Sequence, residues 1–153
     1  MPSAWRIVKA PHADRAFTGE GAWRTGGRWN SPGVPMVYAS EHKSLAVLEI
    51  LTHLDPQEVS HHLTFRLAFD EALVERLPGE RLPPGWRAEM PARAARDVGD
   101  AWARENRSAV LAVPSVLIPE EFNFLLNPNH ADFRKIKIEK PTEFVFDPRL
   151  LKG

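Results

Sequence analysis

Short stretches of alternating apolar and polar residues run along this chain, separated by prolines, with one longer stretch that is apolar nearly all round. Leu63, Phe65 and Leu67 alternate with Thr64, Arg66 and Ala68, the period of a strand with two unlike faces. Met36, Tyr38 and Ser40 alternate with Val37 and Ala39, which predicts a strand after Pro35 with Tyr38 on one face. Trp5 to Lys9 reads as a first strand, Ala109 to Val113 as a short buried one, and Phe133 to Ile138 and Phe144 to Phe146 as two late ones. From Lys43 to Leu54 the pattern predicts a helix, and SLAVLEILTHL within it is apolar enough for that helix to be largely buried, with Ser40 as its N-cap. Pro91 to Asn106 predicts an amphipathic helix, and Pro11, Pro32, Pro56, Pro78, Pro83, Pro119 and Pro128 mark further boundaries.

Strands, a buried helix, strands, a second helix and strands in that order predict an α+β fold with mixed or antiparallel sheets and packed helices. A regular βαβ alternation is missing, which argues against a Rossmann dinucleotide fold. No repeat or linker divides the chain, so its 153 residues are expected to form a single domain, 1–153.

Composition narrows the function classes. Lys plus Arg and Asp plus Glu both total 20, a balance that argues against direct nucleic-acid binding and gives little repulsion against association, including homo-oligomers. Cysteine is absent, which excludes disulfides, thiolate metal sites and a cysteine nucleophile. Six histidines show no ligand spacing, and His61 and His62 are adjacent in a strand and face opposite ways, so no metal site is expected. The N-terminus lacks a basic segment followed by an apolar run, and a cytoplasmic location is expected.

Polar residues in apolar settings are the candidates for chemistry. Glu49 is the only carboxylate in the apolar helix, so it must be paired, solvated in a cleft or shifted in pKa. Gly26 to Asn30, GGRWN, lies in a glycine-rich loop from Gly19 to Gly33; its Arg28 is placed to grip a pyrophosphate or else to sit at the surface of a turn. Tyr38, the only tyrosine, suits stacking on a nicotinamide or adenine ring, or a hydrogen-bonded place in the core. Trp23 and Trp29 in the loop raise base stacking as a lesser reading. Farther on, VPSVLIPEEFNFLLNPNH is interrupted by Ser115, Asn123 and Asn127, for which backbone capping is the default. Ser115 follows a proline at a strand end, where its hydroxyl also has a route into a cleft.

In order, the GGRWN loop, a strand ending YAS, a helix with a central glutamate and a late PS turn leading to NPNH resemble the RES domain, the toxin half of RES–Xre toxin–antitoxin pairs. The resemblance covers nearly the whole chain. It places the family's arginine, glutamate and serine on Arg28, Glu49 and Ser115, and its tyrosine on Tyr38; Asn127 and Trp86 also match. It implies an ADP-ribosyltransferase-like fold, NAD+ as substrate with no further cofactor, and cleavage of its nicotinamide–ribose bond by hydrolysis, phosphorolysis or ADP-ribosyl transfer. Glu49, Arg28, Tyr38 and Ser115 form the expected catalytic set, and NAD+ is expected to meet Arg28, Trp29, Tyr38, Ser40, Glu49, Ser115 and Asn127. The implied partner is an Xre-type helix-turn-helix antitoxin that occludes the cleft. A non-catalytic nucleotide- or partner-binding module and an RNA-cleaving toxin are the alternatives, the latter lacking a His-based acid–base pair and a basic face.

Overall fold

A computed structural model describes residues 1–55, 57 and 61–152. Its strands are β1 (Ser3–Lys9), β2 (Val37–Ser40), β3 (His62–Ala68), β4 (Val74–Arg76), β5 (Val110–Pro114), β6 (Phe122–Leu126), β7 (Lys137–Ile138) and β8 (Thr142–Phe144). The α-helices among the described residues are α1 (Glu20–Thr25), α2 (Lys43–Leu51) and α3 (Arg93–Arg104). All the strands join one sheet in the order β4-β5-β6-β2-β1-β3-β7, with β8 also on β3. Only β4 and β5 are parallel, joined through α3 in a single βαβ crossover, so the fold is α+β as the element order implied.

Both faces of the central strands are covered. Val110 and Ala112 of β5 join Val37, Ala39, Phe124 and Leu126 in one core, while Leu111 and Val113 join Met36, Leu125, Trp29 and Trp102 of α3 in another. That two-sided burial explains why β5 reads as a continuous apolar run.

Pairing along the sheet is uneven. β1 and β3 are in register from Ser3↔Ala68 to Lys9↔His62, but β1 meets β2 only at Trp5↔Ser40. Beyond that point the ladder parts, and Arg6 spans the gap: its Nε donates to the Ala16 carbonyl and its Nη1 to the Tyr38 carbonyl, each at 2.8 Å. The side chain thus supplies a donor that a neighbouring strand would otherwise offer. No carboxylate pairs with Arg6 among the described residues, and burial pushes its pKa down to about 10.

Several local expectations are corrected. Ser40 is not the N-cap of α2, because it is still a ladder residue of β2; His42 holds the cap position without a side-chain bond. The helix ends at Leu51 rather than Leu54 and is only partly buried: Leu45 and Ala46 face inward, while Leu48 is 40% exposed. It packs on β1 and β2 with one side and leaves the other uncovered. The Gly19–Gly33 loop contains α1. Phe133 lies in a 3-10 turn, Ala131–Lys135, ahead of the two-residue β7, and β8 stops at Phe144. β4 and β6 were not expected; a lone Asn123 in FNFLL breaks the apolar pattern that β6 otherwise carries. Pro56 lies outside the described residues.

Candidate functional site

Where β1 and β2 part, a cleft of about 970 Å³ opens, within the range of small-molecule sites. One wall is the GGRWN loop, the other is α2, and β1 and β2 form the floor. Residues Glu89 to Pro91 and the turn at Val116 and Leu117 make the rim.

The GGRWN wall is fastened from behind. Trp29 is only 2% exposed and packs among Met36 and Trp102, with the Trp86 ring 6.3 Å away. On α3, Gly99 lets the loop backbone come so close that an added Cβ would stand 1.8 Å from the Trp29 carbonyl oxygen. Next to it Asp100 accepts from the Ser31 N–H at 2.8 Å, and about one turn earlier Arg96 Nε donates to the Gly27 carbonyl at 3.1 Å. Asn30, fully buried, donates to the Ala22 and Val34 carbonyls at 3.0 Å and accepts the Tyr38 hydroxyl at 2.5 Å. Tyr38 Oη in turn accepts from the Trp29 N–H at 3.2 Å, and burial raises its pKa well above the phenol range, so it stays a neutral donor. Gly27 is required here: a Cβ would sit 2.6 Å from Tyr38 Oη.

Arg28 projects from this wall toward the rim. Its Nη1 donates to the Trp86 and Ala88 carbonyls at 3.1 and 2.6 Å, and its Nη2 to Glu89 at 3.3 Å. These three bonds tie the 86–89 segment, whose Glu89 lies at the cleft rim, to the loop and leave two of the guanidinium's five N–H donors unused. Burial lowers its pKa, partly offset by the negative charge of Glu49.

The opposite wall carries less. Glu49 faces the cleft from α2, and one carboxylate oxygen, Oε2, accepts from the Asn123 side-chain N–H. Asn123 Oδ1 accepts from the Ser40 hydroxyl at 2.7 Å. Burial raises the Glu49 pKa, while the Asn123 bond, His53 and Arg28 pull it back down. Oε1 carries no hydrogen bond from a described residue, which leaves it free for a ligand.

Arg28, Tyr38, Ser40 and Glu49 therefore come together around one cleft, with the largely buried Trp29 beside them. The Ser115 and Asn127 side chains do not reach it. Ser115 is fully buried, and its Oγ accepts from the Leu117 and Ile118 N–H groups at 3.1 and 3.2 Å, shaping the turn that carries Val116 and Leu117 to the rim. Asn127 bonds the Ala103 carbonyl, Asn106 and the Asn129 N–H, tying the end of α3 to the end of β6. Sequence reasoning gave Asn123 a backbone-capping role in place of its side-chain bonds to Glu49 and Ser40, and missed the bracing from Arg96, Gly99 and Asp100. Asn123 did leave the signal that singled out Glu49, a lone polar residue in an apolar run. Among the described residues no group of three His, Cys, Asp or Glu side chains converges as a metal site, and no helix is long and apolar enough to cross a membrane.

Comparison with known proteins places this architecture. The RES domain family model matches residues 3–147. A "Prs ADP-ribosylating toxin" from Sphingobium sp. (strain YBL2) is 40% identical over 157 residues, covering 98% of this chain and 97% of that protein. "Toxin Res" of Yersinia enterocolitica is 36% identical over 148 residues, covering 95% and 97%, and "Toxin Res" of Photorhabdus laumondii is 35% identical over 151 residues, covering 97% of each. Among solved structures, a chain of the M. tuberculosis MbcT-MbcA toxin-antitoxin complex superposes with a TM-score of 0.70 over 97% of this chain and 86% of that one. At 18% identity that likeness shows the fold alone.

Proposed function

Because the chain belongs to the RES domain family, we propose that it is the toxin of a toxin–antitoxin pair and that it binds NAD+ in the cleft and breaks the nicotinamide–ribose bond. The observation that carries this reading is Glu49: a carboxylate fixed on one oxygen, open on the other and facing a cleft whose far wall holds Arg28. Breaking a glycosidic bond leaves positive charge on the ribose, and a fixed carboxylate beside it stabilises the transition state more than the ground state. The free Oε1 accepts a ribose hydroxyl and adds to that effect.

The other residues orient the substrate. Arg28 offers its unused donors to the pyrophosphate, with the open backbone around Gly26 and Gly27 beside it. Tyr38, its hydroxyl tied back to Asn30, presents its ring to the nicotinamide. Trp29 supports the loop more than it stacks, given its burial. Ser115 and Asn127 act through the turns they hold, the first by positioning Val116 and Leu117 at the rim. NAD+ is consumed as substrate and no metal takes part. Among hydrolysis, phosphorolysis and ADP-ribosyl transfer, transfer is favoured by one observation, the name of the Sphingobium relative, "Prs ADP-ribosylating toxin". An antitoxin partner is supported by the toxin–antitoxin complex that shares the fold, and the Xre type by the family resemblance.

Incubating purified protein with labelled NAD+, with and without phosphate and cell extract, tests the reading and identifies the acceptor. Glu49→Gln keeps the shape and removes the charge, so turnover falls by roughly 100- to 1,000-fold while NAD+ affinity is retained. Equal NAD+ loss by wild type and variant rules out the assignment.

A further inference from the structure

The site holds one amide with two chemically different neighbours. Ser40 ends β2 and stands directly opposite Asn123 of β6, in a ladder whose other pairs, Val37↔Leu126, Tyr38↔Leu125 and Ala39↔Phe124, are apolar or aromatic. Directly opposed residues put their side chains on the same face of a sheet. Above that face lies Glu49 of α2, separated from Asn123 by 74 positions in sequence. A polar pair in an apolar ladder carries a desolvation cost unless each polar atom is matched. Here both polar atoms of the Asn123 amide are engaged: Nδ2 donates to Glu49 Oε2 and Oδ1 accepts from Ser40 Oγ.

The direction of this chain follows from chemistry alone. An ionised carboxylate only accepts, so the amide must turn its nitrogen toward Glu49. Its oxygen then faces Ser40, whose hydroxyl has to donate. We propose that Asn123 is a positioning residue of the site: its amide binds Glu49 and Ser40 into one directed relay that holds the carboxylate charged and turned toward the cleft, and commits Ser40 to accept from the ligand. This rests on the reading of Glu49 as the residue that stabilises charge on the ribose. With its proton directed at Asn123, Ser40 shows the cleft only lone pairs, so the ligand group that meets it brings a donor, as a carboxamide N–H or a ribose hydroxyl does.

The charges that bear on Glu49 are His53, just beyond the end of α2, and Arg28 on the opposite wall; β1 adds Arg6 to the cleft lining, bonded to the Ala16 and Tyr38 carbonyls, and β2 and β6 contribute Ser40 and Asn123, neither of which titrates. Glu41, ahead of α2, is engaged by the Phe122 N–H at 2.8 Å. Among the described residues Asn123 is thus the only neutral donor on the carboxylate, and replacing it changes the titration of Glu49 without touching His53 or Arg28.

Asn123→Asp is nearly isosteric and sets a second carboxyl against Glu49, so the pair retains a proton to higher pH. The midpoint of the Glu49 side-chain carboxyl, followed by carbon NMR, is expected to rise by about 1–2 pH units. The acid limb of NAD+ consumption moves up with it. Asn123→Ser, which takes away the amide N–H, leaves only a shorter hydroxyl and adds no charge, raises the midpoint less, and Ser40→Ala, which frees the amide to swing, raises it least. If Asn123→Asp does not fold, the Ser variant carries the test alone. A midpoint unchanged in the Asn123 variants overturns the relay, whatever the activity. A shifted midpoint in a protein whose wild type consumes no NAD+ overturns the functional reading and leaves the relay standing.

Discussion

The two walls of the cleft are built on opposite plans. The GGRWN wall is secured along its length: Gly26 to the Ala22 carbonyl, Gly27 against Tyr38, Arg28 to three carbonyls, Trp29 in the core, and Asn30 and the adjoining Ser31 to buried partners. The Glu49 wall is a short helix with an exposed outer side and one side-chain bond into the sheet. A substitution on the first wall therefore disturbs folding and function together, and one on the second separates them. The difference follows the chemistry required of each. Under the proposed function, a loop that faces a phosphate has to hold its backbone amides open to the ligand, and it takes its rigidity from α3 through Gly99 and the Arg96 and Asp100 bonds. A carboxylate that answers positive charge needs a fixed direction and little else.

The largest effect expected is at Gly99. Gly99→Val places side-chain atoms on the Trp29 carbonyl, which the surrounding core cannot vacate, and costs about 3 kcal/mol or more. Urea denaturation measures it, and a loss below about 1 kcal/mol breaks the view that α3 braces the loop.

Arg28→Ala comes next. Removing the guanidinium releases the Trp86, Ala88 and Glu89 carbonyls, a loss of about 1–2 kcal/mol, and weakens NAD+ binding by roughly tenfold. Trypsin cleavage after Arg87 becomes faster in the same variant. Arg28→Lys restores neither property, since an ammonium cannot span three carbonyls and a phosphate. Unchanged proteolysis with weakened binding makes Arg28 a ligand residue alone.

Ser115→Ala tests a residue held off the cleft. Its turn loses two N–H acceptances, for a cost of about 1 kcal/mol, and KM rises more than kcat falls because Val116 and Leu117 shift at the rim. A fall in kcat alone, with the melting temperature unchanged, contradicts a role through the turn.

The smallest effect is on the stability of Glu49→Gln, and its sign is opposite to the others. Folding raises the Glu49 pKa, chiefly through burial, so the protonated form is the one the fold prefers. Stability from that protonation is fully present below the unfolded pKa and is lost as pH rises through the folded one. The Gln variant is accordingly at least as stable as wild type at pH 7, and the difference fades as the pH is lowered into the ordinary carboxylate range. Melting curves at pH 4 and pH 7 show it; a variant less stable than wild type at pH 7 removes the burial cost assigned to Glu49.

Much of this was legible from residue order. The alternation at Met36 to Ser40 and Leu63 to Ala68, the apolar run at Ala109 and the amphipathic α3 follow from side-chain periodicity, which neighbouring elements reinforce. Element ends were less legible. β7 and β8 are two and three residues long and exist because β3 offers an edge, not because their own pattern demands a strand. β6 was hidden by Asn123, the residue that gives it a place in the site.

The sequence by itself determined which residues are candidates for chemistry: a lone carboxylate in an apolar helix, an arginine among glycines and a single tyrosine, together with an order of motifs that marks a family. Those are properties of residue type and spacing, and they survive without coordinates. Only the tertiary structure decided which donors and acceptors are already spent. Arg28 turns most of its fork to backbone, Tyr38 gives its hydroxyl to Asn30, Ser115 closes a turn, and Ser40 and Glu49 meet through an asparagine from a distant strand. Hydrogen bonds are short and directional, so whether a polar side chain serves the fold or the ligand depends on what stands within about 3 Å of it, and sequence separation does not encode that.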